Sequence, residues 1–194
     1  MKINSEIIFL NMNRKIRQYN KNDENLIATE QGKTIYEKIG FKKELQHEFY
    51  IPINRYLKFE SKQEFHKATN QDLQQIVDLY FSVTSESRKE LIEFYLQGTS
   101  LIFDSKQLLR GFYIKDLGDG LIISDNSEDG LKLIKLKLSE SKQSFVIPVT
   151  NLLVKNFLQE NGYFLYKKAQ RMLLGNHYTW KSQKIYNRGT GYCG

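Results

Sequence analysis

Apolar and polar positions along the first quarter of the chain predict alternating helices and strands. Apolar residues at helical spacing predict one helix over residues 5–19 and a second over residues 31–39. Residues 26–29 are a short strand candidate, and the alternation over residues 46–53 predicts a longer strand. The side chains predicted on one face of that longer strand are His47, Phe49, Ile51 and Ile53.

A longer series of elements is predicted after a polar, weakly patterned linker at residues 54–64. Thr69 and Asp72 form a predicted capping box ahead of an apolar helical stripe. The predicted order after the linker is strand, two helices, three strands, helix, strand, helix, strand. The part before the linker shows only helix, strand, helix, strand, which is the end of the same order. We therefore predict a truncated first unit in residues 1–60 and a complete second unit in residues 61–194.

Two of the predicted helices end in one repeated pattern. Tyr36 lies one turn before Gly40, which is followed by Phe41, and a later helix ends at Gly162 and Tyr163. Glycine suits the left-handed backbone that ends a helix, and the aromatic ring after it can pack back on the last turn. A pattern repeated at wide separation indicates two copies of one structural unit.

Composition narrows the class of protein. Apolar residues make up 40% of the chain and charged residues 26%, which is typical of a soluble globular protein. Cys193 is the only cysteine, and the three histidines lie far apart, so we predict neither an intrachain disulfide nor a metal site. No apolar run approaches the roughly 20 residues of a membrane span. We therefore expect a protein of the reducing cytoplasm that does not enter a membrane.

The net charge of +7 is spread over both halves, but residues 166–194 hold six basic residues and no acidic one. Aromatic residues are interleaved with these charges, and such a segment can bind nucleic acid through phosphate contacts and base stacking. Ordinary strands with solvated lysines and arginines give the same pattern, and we favour that interpretation over a nucleic-acid partner. A basic surface also suits a phosphate-bearing cofactor.

Three stretches resemble one known family. Residues 35–41 (IYEKIGF) look like a late helix and following strand of the GNAT superfamily, the acetyl-CoA-dependent N-acetyltransferases. Residues 65–77 are similar to the strand, turn and helix that open a GNAT domain, and residues 170–175 with 185–188 resemble the tail of tandem GNAT proteins. The resemblance implies an α/β (α+β) fold with a mixed, mostly antiparallel sheet flanked by helices. It also implies transfer of acetyl from acetyl-CoA to a primary amine of a small molecule or peptide, without a metal.

The resemblance also implies roles for particular residues. Tyr36 matches the usual general acid, since a phenol can give a proton to a departing thiolate; the alternative is a ring that packs on the sheet. Thr29 and Gly32 lie where the cofactor is bound, although Thr29 is also a helix N-cap candidate, which we favour. Asn4 and Ser5 are interpreted as the remnant of a phosphate-binding turn.

Other candidates are weaker or speak against a second cofactor site. Glu24 and Glu30 are candidate bases for the substrate ammonium, and surface carboxylates are the favoured interpretation. The turn at residues 125–129 holds three acidic residues, whose carboxylates would repel a diphosphate. We therefore expect the second unit not to bind coenzyme A, and Tyr163 to be structural. The alternative for the whole chain is a non-catalytic binding or scaffold module that keeps the fold.

Overall fold

The computed structural model describes residues 24–28, 30–53, 65–140, 144–175 and 179–189. These residues form nine strands and five helices. The strands are β1 Glu24–Ala28, β2 Lys42–Pro52, β3 His66–Lys67, β4 Thr99–Phe103, β5 Leu109–Ile114, β6 Leu121–Ser124, β7 Phe145–Pro148, β8 Tyr163–Leu174 and β9 Ile185–Arg188. The helices are α1 Glu30–Lys38, α2 Leu73–Thr84, α3 Lys89–Phe94, α4 Ser127–Ser139 and α5 Leu152–Glu160.

These nine strands form two antiparallel sheets. One sheet has the order β1-β8-β2-β7, and the other has the order β3-β4-β5-β6-β9. The order of elements predicted after residue 64 is confirmed, and so is the strand and helix that precede β2. The predicted helix at residues 5–19 and the linker at residues 54–64 lie outside the described residues. Strands from both sides of the predicted unit boundary share the first sheet, while the division into two units stays a prediction.

The four-stranded sheet is built from two interlocked strand–helix–strand units. The units are β1-α1-β2 and β7-α5-β8, and in each the two strands leave a gap one strand wide. Strand β8 fills the gap of the first unit and β2 fills the gap of the second, so each unit completes the other. Neither unit can keep its backbone hydrogen bonds satisfied without its counterpart.

The pairing of β2 with β8 has a local two-fold symmetry. Gly40 and Gly162, which end α1 and α5, are 122 positions apart, and so are His47 and its strand partner Ala169. The register slips once after Lys43 and once after Phe49, which leaves one extra residue on each strand. These two β-bulges also lie at equivalent positions, near Glu44 in β2 and at Tyr166 in β8. The two units are therefore related by a two-fold axis at the His47–Ala169 pair.

The burial of β2 differs from what its alternation suggested. The predicted face included His47 and Ile53, yet Glu48 and Tyr50 on the opposite face are each 1% exposed, while Ile53 is 66% exposed. His47 is fully buried too, so β2 is covered on both faces around residues 47–50, whereas alternation indicates a half-buried strand. The strand also begins at Lys42, four residues before the predicted start.

Buried apolar side chains lie on both sheets. One core packs α4 and α5 against β7 and Tyr186, and a second packs α2 and α3 against β4, β5 and β6. The predicted stripe on α2 is confirmed, since Ile76 and Tyr80 are buried. A third, small cluster joins Ala28, Phe41 and Met172 at the β1 end of the four-stranded sheet.

Candidate functional site

The end of α1 has the geometry that the sequence predicted. Gly40 has a φ of +100°, its N–H donates to the Glu37 carbonyl at 3.1 Å, and the Phe41 N–H donates to the Tyr36 carbonyl at 3.0 Å. These two bonds define a Schellman motif, which carries an apolar contact between the residues at its ends. The rings of Tyr36 and Phe41 make that contact edge to face, with centroids 5.5 Å apart. The helix end therefore fixes the Tyr36 ring against the start of β2.

The other predicted cofactor residues are only partly within the described structure. Gly32 lies in the first turn of α1, at the positive end of the helix dipole. Thr29, Asn4 and Ser5 lie outside the described residues, and so do the side chains of Glu24 and Glu30. The structure thus places Tyr36 and Gly32 one helical turn apart on α1, and the roles of all these residues stay predictions.

The acidic turn that opens α4 is more neutral than its sequence suggested. Asp125 pairs with Lys184 and with Arg110, the latter at 3.0 Å. The hydrogen bond from Lys184 lowers the pKa of Asp125, so this carboxylate is ionised and paired. Lys132 pairs with Glu128 at 2.7 Å and with Asp129 at 3.0 Å. Three cations therefore match the three acids, and repulsion alone does not explain why a diphosphate is unsuited here.

Packing at the same turn gives a stronger reason. The Asn126 side chain caps α4 by accepting the Asp129 N–H at 2.9 Å, and the Tyr186 hydroxyl donates to the Asn126 carbonyl at 3.1 Å. The Tyr186 ring lies directly over Gly130, where an added Cβ would be 2.2 Å from two ring carbons. The helix start is covered by protein, and its residues do not fit a coenzyme A pyrophosphate.

Strand β9, which the sequence analysis did not predict, closes the space beside this turn. β6 and β7 are consecutive strands joined by α4, yet β6 pairs with β9. The Asn187 side chain accepts the Val146 N–H of β7 at 2.8 Å and donates to the carbonyls of Asp119 and Gly120. β9 therefore stands between β6 and β7 and is held by both.

A buried ion cluster joins β2 and β8 of the four-stranded sheet to the loop after α2, and sequence analysis missed it. Arg171 of β8, 3% exposed, pairs with Glu44 at the β2 bulge and with Glu86 at 3.2 Å. Glu86 also accepts from Arg88 at 2.9 Å. The Trp180 indole donates to Glu44 at 3.0 Å and lies 4.5 Å from the Arg171 guanidinium. The interpretation of this basic segment as solvated strands is wrong for Arg171 and for Arg188, which is 6% exposed.

His47, on the two-fold axis, lies beside this cluster. Its ring is fully buried and stacks on Trp180 with centroids 6.0 Å apart and an interplanar angle of 14°. Neither ring nitrogen has a partner at hydrogen-bond geometry among the described residues. Burial, and then the nearby charge of Arg188, hold the pKa of His47 well below its usual range. The imidazole is therefore neutral at physiological pH.

A narrow cavity shares Arg88 with the cluster and is lined at its polar end by Arg88, Arg188, Tyr80 and Thr84. Its volume of about 20 Å³ is room for about one water molecule. An acetyl acceptor does not fit in it. The signal for the cluster was the acid-free run in residues 166–194, because buried arginines need carboxylates from elsewhere in the chain.

Comparison with known proteins supports the fold. The chain matches no protein-family model and no curated protein sequence. It superposes on a proposed acetyltransferase from Pyrococcus horikoshii with a TM-score of 0.69 and 18% identity, covering 99% of this chain and 66% of that one. A GCN5-related N-acetyltransferase from Anabaena variabilis gives a TM-score of 0.48 and 12% identity over 85% of this chain and 48% of that one. A GNAT-family acetyltransferase from Colwellia psychrerythraea gives a TM-score of 0.48 and 9% identity, covering 91% of this chain and 74% of that one.

The first of these likenesses shows the fold, and the other two are too distant to add to it. The chain has a GNAT-like α/β fold with antiparallel sheets flanked by helices, as the sequence predicted. It spans slightly less than two thirds of the length of the Pyrococcus horikoshii protein. Within the described residues, no helix is long and apolar enough to cross a membrane, and no group of three metal-ligating side chains is found.

Proposed function

We propose that this chain is part of a GNAT-family N-acetyltransferase that transfers acetyl from acetyl-CoA to a primary amine. The observation that supports it is the α1 end, where a Schellman motif fixes Tyr36 inside a GNAT-like fold. Acetyl-CoA supplies the activated acetyl thioester. Transfer needs no covalent enzyme intermediate, because holding the amine beside the thioester provides much of the rate.

Gly32 and Tyr36 each have one task in this proposal. The N–H groups in the first turn of α1, at Gly32, favour negative charge because they lie at the positive end of the helix dipole. Tyr36 holds a proton on its hydroxyl for the sulfur of the leaving coenzyme A. Its ring is held by Phe41, so the hydroxyl is the part of this side chain that is not needed for packing.

We further propose that the two interlocked units are the corresponding parts of two GNAT-like copies, the first of them truncated at residues 1–60. The constant offset of 122 positions and the two equivalent bulges support this interpretation. In this arrangement the acceptor site is in the first copy. The second copy, residues 61–194, supplies the strand that completes the first sheet.

Titration of the full chain with acetyl-CoA, followed by heat and by thermal shift, tests the proposal. Binding, and release of free coenzyme A thiol with at least one of a panel of primary amines, is the expected result. Tyr36→Phe removes only the hydroxyl and is expected to lower kcat about 100-fold with binding unchanged. If acetyl-CoA produces no heat and no thermal shift, the proposed enzymatic function is contradicted.

A non-catalytic scaffold is the second candidate, and one observation favours it: the crevice beside α4 is filled by the protein itself. A scaffold predicts a stable, folded chain in which acetyl-CoA changes neither the melting temperature nor the hydrogen exchange of α1. Thiol release that depends on the Tyr36 hydroxyl would exclude it.

A further inference from the structure

The crevice between β6 and β7 is the kind of place where folds of this class bind ligands. Consecutive strands joined by a helix, but not paired with each other, open a gap at the start of that helix. Backbone N–H groups at the start of α4 would face an anion in the gap. In this protein the gap is bounded by Ser124 at the end of β6 and by Phe145 at the start of β7.

A segment of the chain itself lies in that gap. β9 pairs with β6 from Leu121 opposite Arg188 to Ile123 opposite Ile185. All four residues of β9 are buried. On its other side the Asn151 amide donates to the carbonyls of Ile185 and Gln183, each at 3.0 Å, while its oxygen caps α5 by accepting the Val154 N–H.

The contacts of this segment correspond to those expected of a ligand. The Tyr186 ring rests on Gly130, the position in α4 with no side chain, and its hydroxyl bonds to the Asn126 carbonyl. The ammonium of Lys184 lies on Asp125, the acid that precedes the helix. An aromatic plane, a hydroxyl and a cation therefore occupy the helix start, the gap and the acidic turn together.

We propose that residues 182–188 are a permanent internal ligand of the β6–β7 crevice. Because they fill this crevice, the second half of the chain has a structural role only. Ligand binding is left to the β1-α1-β2 unit. The occupancy is independent of the proposed function; only the identity of the excluded ligand as acetyl-CoA rests on it. β9 is then part of the folded core and is not a gate that opens for a substrate.

Hydrogen exchange of the full chain, read by mass spectrometry, tests this directly. Peptides covering residues 121–130 and 185–188 are expected to exchange roughly 10⁴-fold or more slowly than the unfolded chain, as for strands that open only on global unfolding. Millimolar acetyl-CoA is expected to leave both peptides unchanged. Fast exchange at residues 185–188 without ligand, or an acetyl-CoA-dependent loss of their protection, would overturn the proposal.

The same experiment separates this inference from the proposed function. If acetyl-CoA does not bind at all, exchange at α1 stays unchanged and only the enzyme proposal fails. If acetyl-CoA binds in the β6–β7 crevice, exchange changes at residues 121–130 and 185–188, and the internal-ligand proposal fails. The single tryptophan, Trp180, gives a second readout, because its fluorescence reports whether the segment before β9 leaves Glu44.

Variants at the Tyr186–Gly130 contact test how the segment is held. Tyr186→Ala is expected to speed exchange at residues 185–188 at least tenfold, whereas Tyr186→Phe keeps the ring and is expected to stay within about threefold. Gly130→Ala is expected to speed exchange strongly in the wild type and to have no further effect in Tyr186→Ala. Equal effects of Gly130→Ala in both backgrounds would show that the ring does not hold β9 there.

Discussion

The two interlocked units share one backbone plan and differ in what covers their helices. At equivalent positions, α1 carries Gly32 and Tyr36 where α5 carries Val154 and Leu158. Both of the α5 residues are fully buried in the core that includes Tyr186. On α1 the corresponding positions are only partly buried, and Ile35 is 64% exposed. In the β7-α5-β8 unit these helix positions pack in the core, whereas in the β1-α1-β2 unit Tyr36 leaves a polar hydroxyl near the surface.

The equivalent bulges differ in the same way. The β2 bulge turns Glu44 into the buried ion cluster, where it meets Arg171 and Trp180. The β8 bulge leaves Tyr166 62% exposed. A bulge redirects side chains without fixing their chemistry. The backbone symmetry therefore predicts where a bulge residue lies, and the sequence at each position decides whether that residue joins the buried ion cluster or stays on the surface.

Arg171→Met gives the largest expected loss of stability. It leaves Glu44 and Glu86 buried without this cation, and breaking a buried ion pair on one side costs about 3–5 kcal/mol. Urea denaturation measures the free energy of unfolding. Lys43→Met is the matched control in the same sheet, because its pair with Glu37 is 48% and 37% exposed. The control is expected to lose less than about 1 kcal/mol. Equal losses for the two variants would mean that the buried cluster stabilises the fold no more than an exposed ion pair does.

Exchanging the residues at equivalent helix positions tests the packing difference directly. Leu158→Tyr forces a larger ring and a hydroxyl into a filled core and is expected to cost about 1–3 kcal/mol or more. Tyr36→Leu keeps an apolar contact with Phe41 and is expected to cost less than about 1 kcal/mol. Thermal and urea unfolding of both variants measure the two values. Equal costs would show that α1 and α5 are equally packed.

The two residues that meet at the two-fold axis differ, because His47 has a titratable side chain and its partner Ala169 has none. The folded pKa of His47 is lowered by burial, so below pH 6.5 the unfolded chain binds a proton that the folded chain does not. Stability is thus complete above about pH 6.5 and falls below it, by up to about 1.4 kcal/mol per pH unit. Unfolding measured between pH 7.5 and 5 is expected to show this slope.

Substitution identifies the group responsible for that slope. His47→Gln is expected to abolish the pH dependence in this window, whatever it does to stability at pH 7.5. His66→Gln is the control, since His66 is half exposed and lies in the other sheet. If the slope persists in His47→Gln, another group that takes up a proton on unfolding must be sought.

Local signals in the sequence predicted the elements, and long-range pairing decided the rest. The Gly40 turn, the Asp72 cap and the apolar stripe on α2 each depend on neighbouring residues, so they could be read from the chain. The interlocking of β2 with β8 and the buried ion cluster depend on partners such as Glu44, Glu86 and Arg171, which are far apart in sequence. The burial of β2 was mispredicted because alternation indicates a half-buried strand, whereas β2 is covered on both faces around residues 47–50.

Tyr166→Thr, at the exposed bulge, is expected to have the smallest effect. The bulge is fixed by the register on each side of it, from Phe49 opposite Lys167 to Tyr50 opposite Leu165, and not by the Tyr166 ring. Threonine suits a strand, so the free energy of unfolding should change by less than about 0.5 kcal/mol. Urea denaturation measures this variant together with Glu44→Gln. Glu44→Gln weakens the buried ion cluster and is expected to lose clearly more free energy of unfolding. A larger loss for Tyr166→Thr would mean that the bulge depends on its side chain, and the two halves would then be less alike than their backbones.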